Sequence, residues 1–284
     1  MNQQSNHTMQ ISQSIEDELV CRNLRGMQTL QSALQPGYVL RAAQLMKDCR
    51  GTVLIGTGFP VIDTFETDGP VGAISLYKAM EVLGATPYIV CGAPLSDVLK
   101  NDYRVHEIKV GEHEERDHEA LHALEKFQPS LIISIGRPGQ AADGGYYNMR
   151  GESIGMRAAC FDTFVRHCKC PTIAIGDGGN EIGMGNVADA LKALDIVPAT
   201  TTCDELVVAD VSNWGGHGLV AMLSVIVEQD LLKGFDNSDC LRYLSERGSV
   251  DGVTRDNTLT EDSLPASDGE ALILTLRRLA GFTA

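Results

Sequence analysis

From residue 52 onward, short apolar runs alternate with stretches of helical spacing. The apolar runs have the length of strands and lie at 52–55, 88–90, 105–110, 131–135, 171–175 and 205–210. The run at 131–135 is apolar almost throughout, which predicts a central strand, whereas 105–110 alternates as an edge strand does. This order predicts an α/β fold: an open, mostly parallel sheet in three layers, with helices on both faces.

The segments between and around these strands are predicted helices. Apolar spacing predicts helices at 11–34, 38–47, 71–83, 156–167, 187–194 and 217–232, and one that ends at Phe127. Ser96 is a candidate cap for a short helix, and His217, near a predicted helix start, is expected to have a lowered pKa from the helix dipole. Two more helices are expected around a polar loop at 252–265, whose turn residues favour mobility.

No linker divides the chain, so we expect one α/β domain over residues 1–284. N-terminal helices (about 11–47) and C-terminal helices (about 237–281) are expected to pack on its core. The N-terminal helices are also candidates for packing against another subunit, and we expect a homo-oligomer, namely a dimer.

The net charge of −15 argues against a nucleic-acid surface, which needs clustered Lys and Arg. No apolar run approaches the ~20 residues of a membrane span. Residues 1–8 are polar and show neither a signal peptide nor a transit pattern, so the expected location is cytoplasmic. An anionic substrate would need arginines gathered at one place, against the overall field of the protein.

Two groups of metal-binding residue types have weak patterns. The eight cysteines are expected to be reduced thiols, and His167-Cys168-Lys169-Cys170 lacks the spacing and the second pair of a zinc site. His113, His118 and His122 lie beside acids, but their pattern is that of a solvated helix face. Neither group is favoured as a metal site.

The decapeptide at 176–185 is the strongest candidate for a ligand site. It holds five glycines, two carboxylates (Asp177 and Glu181) and the carboxamide of Asn180, directly after the apolar run at 171–175. Glycine allows the main chain to approach a ligand closely, and such loops follow strands at the carboxyl edge of parallel sheets. The alternative is a tight turn with an acidic helix start.

Polar residues also follow three other predicted strands. Glu66, Thr67 and Asp68 precede Pro70, although helix capping alone explains Thr67 and Asp68. Arg137, Arg150 and Arg157 follow the strand at 131–135 and are candidates to clamp carboxylates, or else to pair with Asp143 or Glu152. Because parallel strands end at one edge, we expect a common cleft that contains Asp68, Arg137, Tyr147, Asn148, Arg150, Asp177, Asn180, Glu181 and Asn213.

The first glycine turn, Gly56-Thr57-Gly58, is only a partial dinucleotide fingerprint. Val61 stands where a third glycine is required, and Pro60 interrupts the expected helix start. We therefore expect a Rossmann-like topology without dinucleotide binding. The chain also has no Gly-Lys-Ser/Thr step, so ATP is not expected to drive its chemistry.

Taken with four further blocks, the decapeptide resembles the D-glutamate cyclase family. The blocks are Glu66-Thr67-Asp68-Gly69-Pro70, Arg137-Pro138-Gly139, Asp143-Gly144-Gly145-Tyr146-Tyr147-Asn148-Met149-Arg150-Gly151 and Ser212-Asn213-Trp214-Gly215. The resemblance implies a hydro-lyase that converts D-glutamate to 5-oxo-D-proline and water. In the family an acid usually precedes the Arg-Pro-Gly step, whereas this chain has Gly136, which places the activity or the substrate in question.

That reaction needs a base for the α-amine and a cation or proton for the γ-carboxylate. The candidate catalytic residues are Asp177, Glu181 and Asp68. The candidate residues for binding a small anionic amino acid are Thr67, Arg137, Tyr147, Asn148, Arg150, Gly178, Gly179, Asn180 and Asn213.

Two other functions stay open from the sequence. A divalent cation, Mg or Mn, held by Asp68, Asp177 and Glu181 would make the protein a metal-assisted hydrolase or lyase. Alternatively, the protein is a non-catalytic sensor of an acidic metabolite, in which Gly136 has removed turnover.

Overall fold

A computed structural model describes residues 3–112 and 114–283 of the chain. His113 therefore lies outside the described residues. The strands are β1 (Thr52–Gly56), β2 (Pro60–Val61), β3 (Thr64–Phe65), β4 (Thr86–Cys91), β5 (Val105–Glu107), β6 (Leu131–Ile135), β7 (Thr172–Gly176), β8 (Glu205–Val208), β9 (Thr260–Glu261) and β10 (Leu264–Pro265).

The helices surround these strands and alternate with most of them. They are α1 (Gln3–Leu19), α2 (Met27–Gln31), α3 (Tyr38–Lys47), α4 (Pro70–Val82), α5 (Leu95–Leu99), α6 (Arg116–Phe127), α7 (Asp162–His167), α8 (Ala188–Leu191), α9 (Ser212–Val227), α10 (Asn237–Ser245) and α11 (Ala266–Leu279). A 3₁₀ turn, Met184–Val187, precedes α8.

Six parallel strands form the central sheet in the order β5-β4-β1-β6-β7-β8. The strand order therefore reverses direction between β1 and β6, which is the switch point of a Rossmann-like sheet. The prediction of an α/β fold is confirmed, as are the central position of the 131–135 strand and the edge position of the 105–107 strand. The hairpins β2-β3 and β9-β10 are separate antiparallel pairs.

The middle of the sheet is a continuous apolar layer. Ile55 of β1 lies in register with Ile89 on one side and Ile133 on the other, and Ile133 pairs with Ile173. All four side chains are buried. Burial of each such side chain contributes roughly 1.5–3 kcal/mol, so this layer holds the strand ends that carry the site.

Helices cover both faces of the sheet. On one face α4 packs against α9, and α1, α3 and α11 also pack against α9. On the other face α6 packs against α7, and His106 of β5 contacts the rings of Phe127 and Phe164 from these two helices. α4 and α9 approach so closely that a Cβ at Gly216 would lie 3.1 Å from the Cα of Gly72.

The predicted helix at 11–34 is wrong in its middle. α1 ends at Leu19 and α2 begins at Met27. Between them, the amides of Arg22 and Leu24 donate to the carboxylate of Asp210 at 2.8 and 3.1 Å. A distant side chain has therefore replaced the carbonyl partners that a continuous helix would provide.

The predicted start of the helix at 217 is also wrong, because α9 begins at Ser212. The predicted helix at 156–167 is shorter, since Ala159 pairs with Val110 in an isolated bridge and α7 begins only at Asp162. Ser96 does not cap α5, whose N-cap is Pro94; its hydroxyl donates to Glu107.

Three further findings concern the remaining sequence predictions. The helix expected at 187–194 is a 3₁₀ turn followed by the four-residue α8. The polar loop expected at 252–265 contains the β9-β10 hairpin. All eight cysteines are free thiols, and no described helix is long and apolar enough to cross a membrane.

Candidate active site

A cavity of about 240 Å³ lies at the switch point between β1 and β6. Part of its wall comes from the segments that follow three neighbouring strands. These contribute Phe59 to Ile62 and Glu66 after β1, Gly136 after β6, and Asp177, Gly178, Asn180 and Glu181 after β7. The cavity is smaller than the roughly 300–1,000 Å³ of drug-sized sites, so it suits a small metabolite.

Arg25 joins two carboxylates on the inner side of this cavity. Its Nη2 donates to Asp262 Oδ2 at 2.5 Å and, by a shorter contact, to Asp177 Oδ2. The same nitrogen donates to the carbonyl of Asp210 at 2.8 Å, and Nε donates to the carbonyl of Asp177 at 3.0 Å. Asp177 also accepts from the hydroxyl of Ser212 at 2.9 Å. The guanidinium of Arg25 therefore bonds to two carboxylates, Asp177 and Asp262, that are distant from each other and from Arg25 in the sequence.

Both aspartates are only 6% exposed, and their acidity reflects that burial. Loss of hydration raises the pKa of Asp177 to about 7, against the lowering effect of Arg25 and with a further rise from Glu181. Burial likewise raises the pKa of Asp262 to about 7, with Arg25 lowering it and Asp177 raising it. A carboxyl group with a pKa near 7 exchanges protons readily at neutral pH.

Glu66 adds a third acid to the cavity wall. Loss of hydration, together with the charges of Asp262, Asp68 and Asp177, raises its pKa well above the ordinary range. Burial opposes ionisation of Arg25, but Asp177 and Asp262 outweigh it and hold the Arg25 pKa above its usual value. The site is therefore a protonatable acid cluster built around one permanent cation.

Glu181 lines the cavity, but its carboxylate is bonded to its own loop. Oε1 accepts from the amide of Gly178 at 2.9 Å and from that of Asp177 at 3.4 Å, and Oε2 accepts from the amide of Gly179 at 2.8 Å. Asn180, which also lines the cavity, donates to the carbonyl of Tyr147 at 2.8 Å. Glu181 thus sets the shape of the loop that presents Asp177.

Asp68 lies behind the cavity rather than on its wall, at the start of α9. Its two oxygens accept from the amides of Asn213 at 2.7 Å and Ser212 at 3.0 Å. Desolvation, Asp177 and Asp262 raise the pKa of Asp68, while the Asn213 amide and Arg25 lower it. In return, Asn213 Oδ1 accepts from the amides of Gly69 and Gly72, both at 2.8 Å.

The predicted cleft residues divide into two sets. The cavity wall includes Asn148, Arg150, Asp177, Gly178, Asn180 and Glu181. The remaining ones, Thr67, Asp68, Arg137, Tyr147, Gly179 and Asn213, do not line it. Thr67 donates to the carbonyl of Thr260, and the hydroxyl of Tyr147 donates to Asp143 at 2.6 Å.

Three arginines lie on the wall of the cavity in addition to Arg25. Arg150 and Arg157 are exposed, and Arg255 is partly exposed and pairs with Glu152 at 2.6 Å. Arg150 donates to the carbonyl of Val253 at 2.8 Å. Asp177, Glu181 and Asp262 are buried, whereas Arg150, Arg157 and the Arg255–Glu152 pair lie toward solvent. The cavity therefore has an acidic interior and a rim with an excess of positive charge.

Arg137, which we expected in the same cleft, lies in a neighbouring cavity. Its side chain is 1% exposed and donates to the carbonyls of Thr57 and Ala159, the latter at 2.5 Å. Gly136, by contrast, lines the main cavity with φ at +50°. A Cβ there would lie 2.7 Å from the Cα of Gly69, so this backbone leaves no room for an acid at position 136.

The oxygens of Asp68, Asp177 and Asp262 lie within 4.8 Å of one another, the spacing of a metal site. Glu181, expected as the third ligand, is replaced in this group by Asp262. These residues fit a divalent cation poorly, because Arg25 already bonds to Asp177 and Asp262 and amides occupy both oxygens of Asp68. A metal ion would have to displace the guanidinium.

Sequence reasoning missed Arg25, Asp262 and Arg255. Arg25 lies between two N-terminal helices, and the other two lie in the C-terminal polar loop. None follows a strand of the central sheet, so the strand-end rule does not find them. The pair Glu261-Asp262 inside a turn-rich loop was the available signal.

His217 has the predicted direction of pKa shift with a different cause. It lies inside α9 rather than at its start, and burial lowers its pKa to about 4. Its Nε2 lies 3.3 Å from Asn237 Oδ1, and Asn237 in turn donates to Glu261. His217 is therefore part of the packing beneath the site.

The fold and the cavity together define a class: an α/β protein with a Rossmann-like strand order and a small, acid-lined cavity at the switch point. The sequence profile of the family described as D-glutamate cyclase-like, C-terminal, matches residues 16–277. The chain belongs to this family.

A curated relative is the human protein named D-glutamate cyclase, mitochondrial. It is 31% identical over an alignment of 215 positions, and the match covers 66% of this chain and 35% of the human protein. The chain thus spans about a third of the length of that relative. Among solved structures, a single-residue variant of actinorhodin polyketide ketoreductase with NADPH matches 84% of this chain and 94% of its own at 11% identity. Its TM-score of 0.28 is too low to carry an argument.

Proposed function

We propose that this protein is a lyase of the D-glutamate cyclase type, which converts D-glutamate to 5-oxo-D-proline and water. The observation that carries the proposal is the pair Asp177 and Asp262, each with a pKa near 7 and both bonded to Arg25 in a metabolite-sized cavity. Membership of the family and the name of the human relative support the same reaction class.

The proton balance of the reaction matches two acids of this kind. Glutamate enters with an ammonium group; the nitrogen bonds to the γ-carbon, one carbon–oxygen bond breaks, and the oxygen leaves as water. The nitrogen gives up two protons, and the departing oxygen takes up two. The site must therefore move two protons over a short distance without a net change in its own charge.

In the proposed sequence, ionised Asp177 accepts a proton from the ammonium group while protonated Asp262 donates to a γ-carboxylate oxygen as the amine attacks. In the second half, Asp262 accepts the remaining proton from nitrogen, and Asp177 donates to the hydroxyl that leaves. Both aspartates return to their starting states. Two coupled groups with pKa values near 7 supply one ionised and one protonated member at neutral pH.

Arg25 is the proposed stabiliser of the tetrahedral oxyanion. Its Nη1 makes no hydrogen bond to the described residues, although Nη2 and Nε are bonded. The glycine-loop amides at 178 and 179 are unsuitable for this role, because they already donate to Glu181. A fixed cation beside the reacting carbon stabilises developing negative charge without reorganisation.

The basic rim is the proposed site for the α-carboxylate. The mouth of the cavity carries the positive charges of Arg150, Arg157 and Arg255, although the net charge of the whole protein is −15. The substrate then lies with its ammonium group toward the buried acids. This folded position brings the nitrogen close to the γ-carbon, which supplies rate through proximity. Asp262 lines the same cavity as Gly136, and it is the proposed substitute for the acid that usually precedes Arg-Pro-Gly in the family.

The first experiment is incubation of the protein with D-glutamate and, separately, L-glutamate, with chiral chromatography of 5-oxoproline. We expect 5-oxo-D-proline from the D-isomer. Asp177→Asn and Asp262→Asn are each expected to lower kcat by about 10²–10⁴, the usual contribution of general acid–base catalysis. Asp189→Asn, at an exposed acid paired with Lys192, is the matched control and should retain the wild-type rate.

Two results would count against this mechanism. Wild-type turnover in Asp177→Asn would remove that residue from the reaction, and absence of product from both isomers in a folded sample would favour a sensor. Incubation with EDTA provides the remaining comparison. Unchanged turnover agrees with Arg25 as the cation of the site, whereas loss of turnover that added Mg or Mn restores would require a metal.

A further inference from the structure

A second cavity of about 230 Å³ lies beside the first. The two cavities share Phe59, Pro60, Ile62 and Arg157 in their walls. The β2-β3 hairpin therefore separates them, and a ligand in the second cavity would touch the same hairpin that encloses the first.

Arg137 is the buried polar side chain of this second cavity, whose wall also includes the exposed Asp63 and Arg157 and the partly exposed Thr64. It is 1% exposed, its Nη1 donates to the carbonyl of Thr57, and its Nη2 donates to the carbonyl of Ala159. The Nε–H group is fully buried and has no hydrogen-bond partner in the described part of the chain. A guanidinium has five N–H donors, so this residue retains unused capacity for an acceptor.

The charge of Arg137 also lacks a carboxylate. No acid among residues 3–112 and 114–283 forms an ion pair with it. Asp162 acts on the charge of Arg137 without a direct ion pair. The oxygens of Asp162 accept instead from Gln140, Thr201 and Tyr146. The face of Phe161, with its centroid 5.6 Å from the guanidinium carbon, offers partial compensation. A buried cation without an anion is costly, and a bound anion removes that cost.

The rest of the cavity is mostly apolar. Its wall includes Phe65, Ala93, Pro94, Leu95 and Val110. Such a wall favours an aliphatic body over a bare inorganic anion. We propose that this cavity is a second binding site, distinct from the candidate active site, for a small carboxylate with a short aliphatic chain, whose carboxylate binds Arg137.

The test of this second site does not depend on the cyclase reaction, because it measures the binding of a ligand directly. The experiment is calorimetric titration of the protein with sodium butyrate, and separately with butyramide, at constant ionic strength. Butyramide has the same chain without the charge. We expect saturable binding of butyrate, and binding of butyramide about tenfold weaker or less.

Three variants locate the bound butyrate. Arg137→Gln removes the charge, and Val110→Trp fills the cavity from a position that is 39% exposed, where a large side chain does not disturb the core. Both should weaken butyrate binding about tenfold or more. Arg150→Gln removes an arginine of the first cavity only and should leave the affinity within about twofold of wild type.

The opposite pattern would overturn the proposal. If butyrate and butyramide bind equally, or if neither binds, Arg137 does not recognise a carboxylate here. If Arg150→Gln abolishes binding while Val110→Trp leaves it unchanged, butyrate occupies the first cavity instead. Since Val110→Trp leaves Arg137 in place, this test stands even if Arg137→Gln does not fold.

Discussion

Asp68 caps the start of α9, and Asn213, which lies in the first turn of α9, caps the start of α4. The Asp68 carboxylate accepts from the first amides of α9, at Ser212 and Asn213, while the Asn213 carboxamide accepts from Gly69 and Gly72 at the start of α4. The pair therefore locks the two helices that cross on one face of the sheet. It also fixes Ser212, whose hydroxyl bonds to Asp177.

Loss of this reciprocal cap should destabilise the fold. Asn213→Ala leaves two buried amides without an acceptor and removes the donor to Glu261, so we expect the free energy of unfolding to fall by about 2–4 kcal/mol. Urea unfolding measures this change. Asn101→Ala, at an exposed turn, is the control and should stay within about 0.5 kcal/mol of wild type. Equal stability of the two variants would contradict the capping role.

The buried aspartates should make stability depend on pH. Their pKa values near 7 in the folded state exceed the ordinary 3.8, so the folded protein binds more protons between these limits. This stabilisation is complete below about pH 4 and is lost as the pH rises through about 7, with a slope of at most about 1.4 kcal/mol per pH unit for each proton taken up.

The measurement is the difference in unfolding free energy between wild type and the Asp177→Asn/Asp262→Asn double variant from pH 5 to 8. His217 has the opposite effect on stability: its pKa is lowered from 6.5 to about 4, so it destabilises the fold as the pH falls below 6.5. Both proteins contain His217, so its contribution cancels in the difference between them. Wild type should lose stability relative to the double variant as the pH rises. A constant difference would show that the aspartates do not carry raised pKa values.

Arg25 should set the pH at which the proposed reaction becomes fast. Arg25→Gln removes the cation that lowers the pKa of both Asp177 and Asp262, so the ascending limb of the kcat/KM profile should move to higher pH by about one unit or more. Arg278→Gln, at an exposed arginine far along the chain, is a control that should leave the profile in place. A fall in rate at all pH values without a shift would show that Arg25 does not set the pKa of the reacting aspartates, and would leave stabilisation of the oxyanion as its proposed role.

Gly136 should tolerate no side chain. Gly136→Ala combines a φ of +50° with a Cβ 2.7 Å from the Cα of Gly69, and we expect a loss of about 1–3 kcal/mol in unfolding free energy. Gly144→Ala, with φ at +83° and no atom within 4 Å of its Cβ, measures the backbone effect alone. The loss at 136 should exceed the loss at 144; the reverse order would mean that the Gly69 contact relaxes freely.

Most of the sheet could be predicted from the sequence, because its strands are short apolar runs that local pattern identifies. The central 131–135 run and the edge 105–107 run occupy the predicted positions. Helix ends were less predictable, since Asp210 and Asp68 set two of them through bonds to amides 144 to 188 positions away. A local pattern contains no information about such partners.

The sequence by itself determined the family, the α/β class and the loop that carries Asp177, because glycine-rich turns after strands follow from local backbone requirements. Only the tertiary structure brought Arg25 to Asp177 and to Asp262, which lie 152 and 237 positions from it along the chain. The tertiary structure also places Arg137 in a separate cavity, and it places Asp68 at the start of α9, where its carboxylate caps the helix. The reason is physical: burial and charge pairing act between groups that are close in space, wherever they lie in the chain.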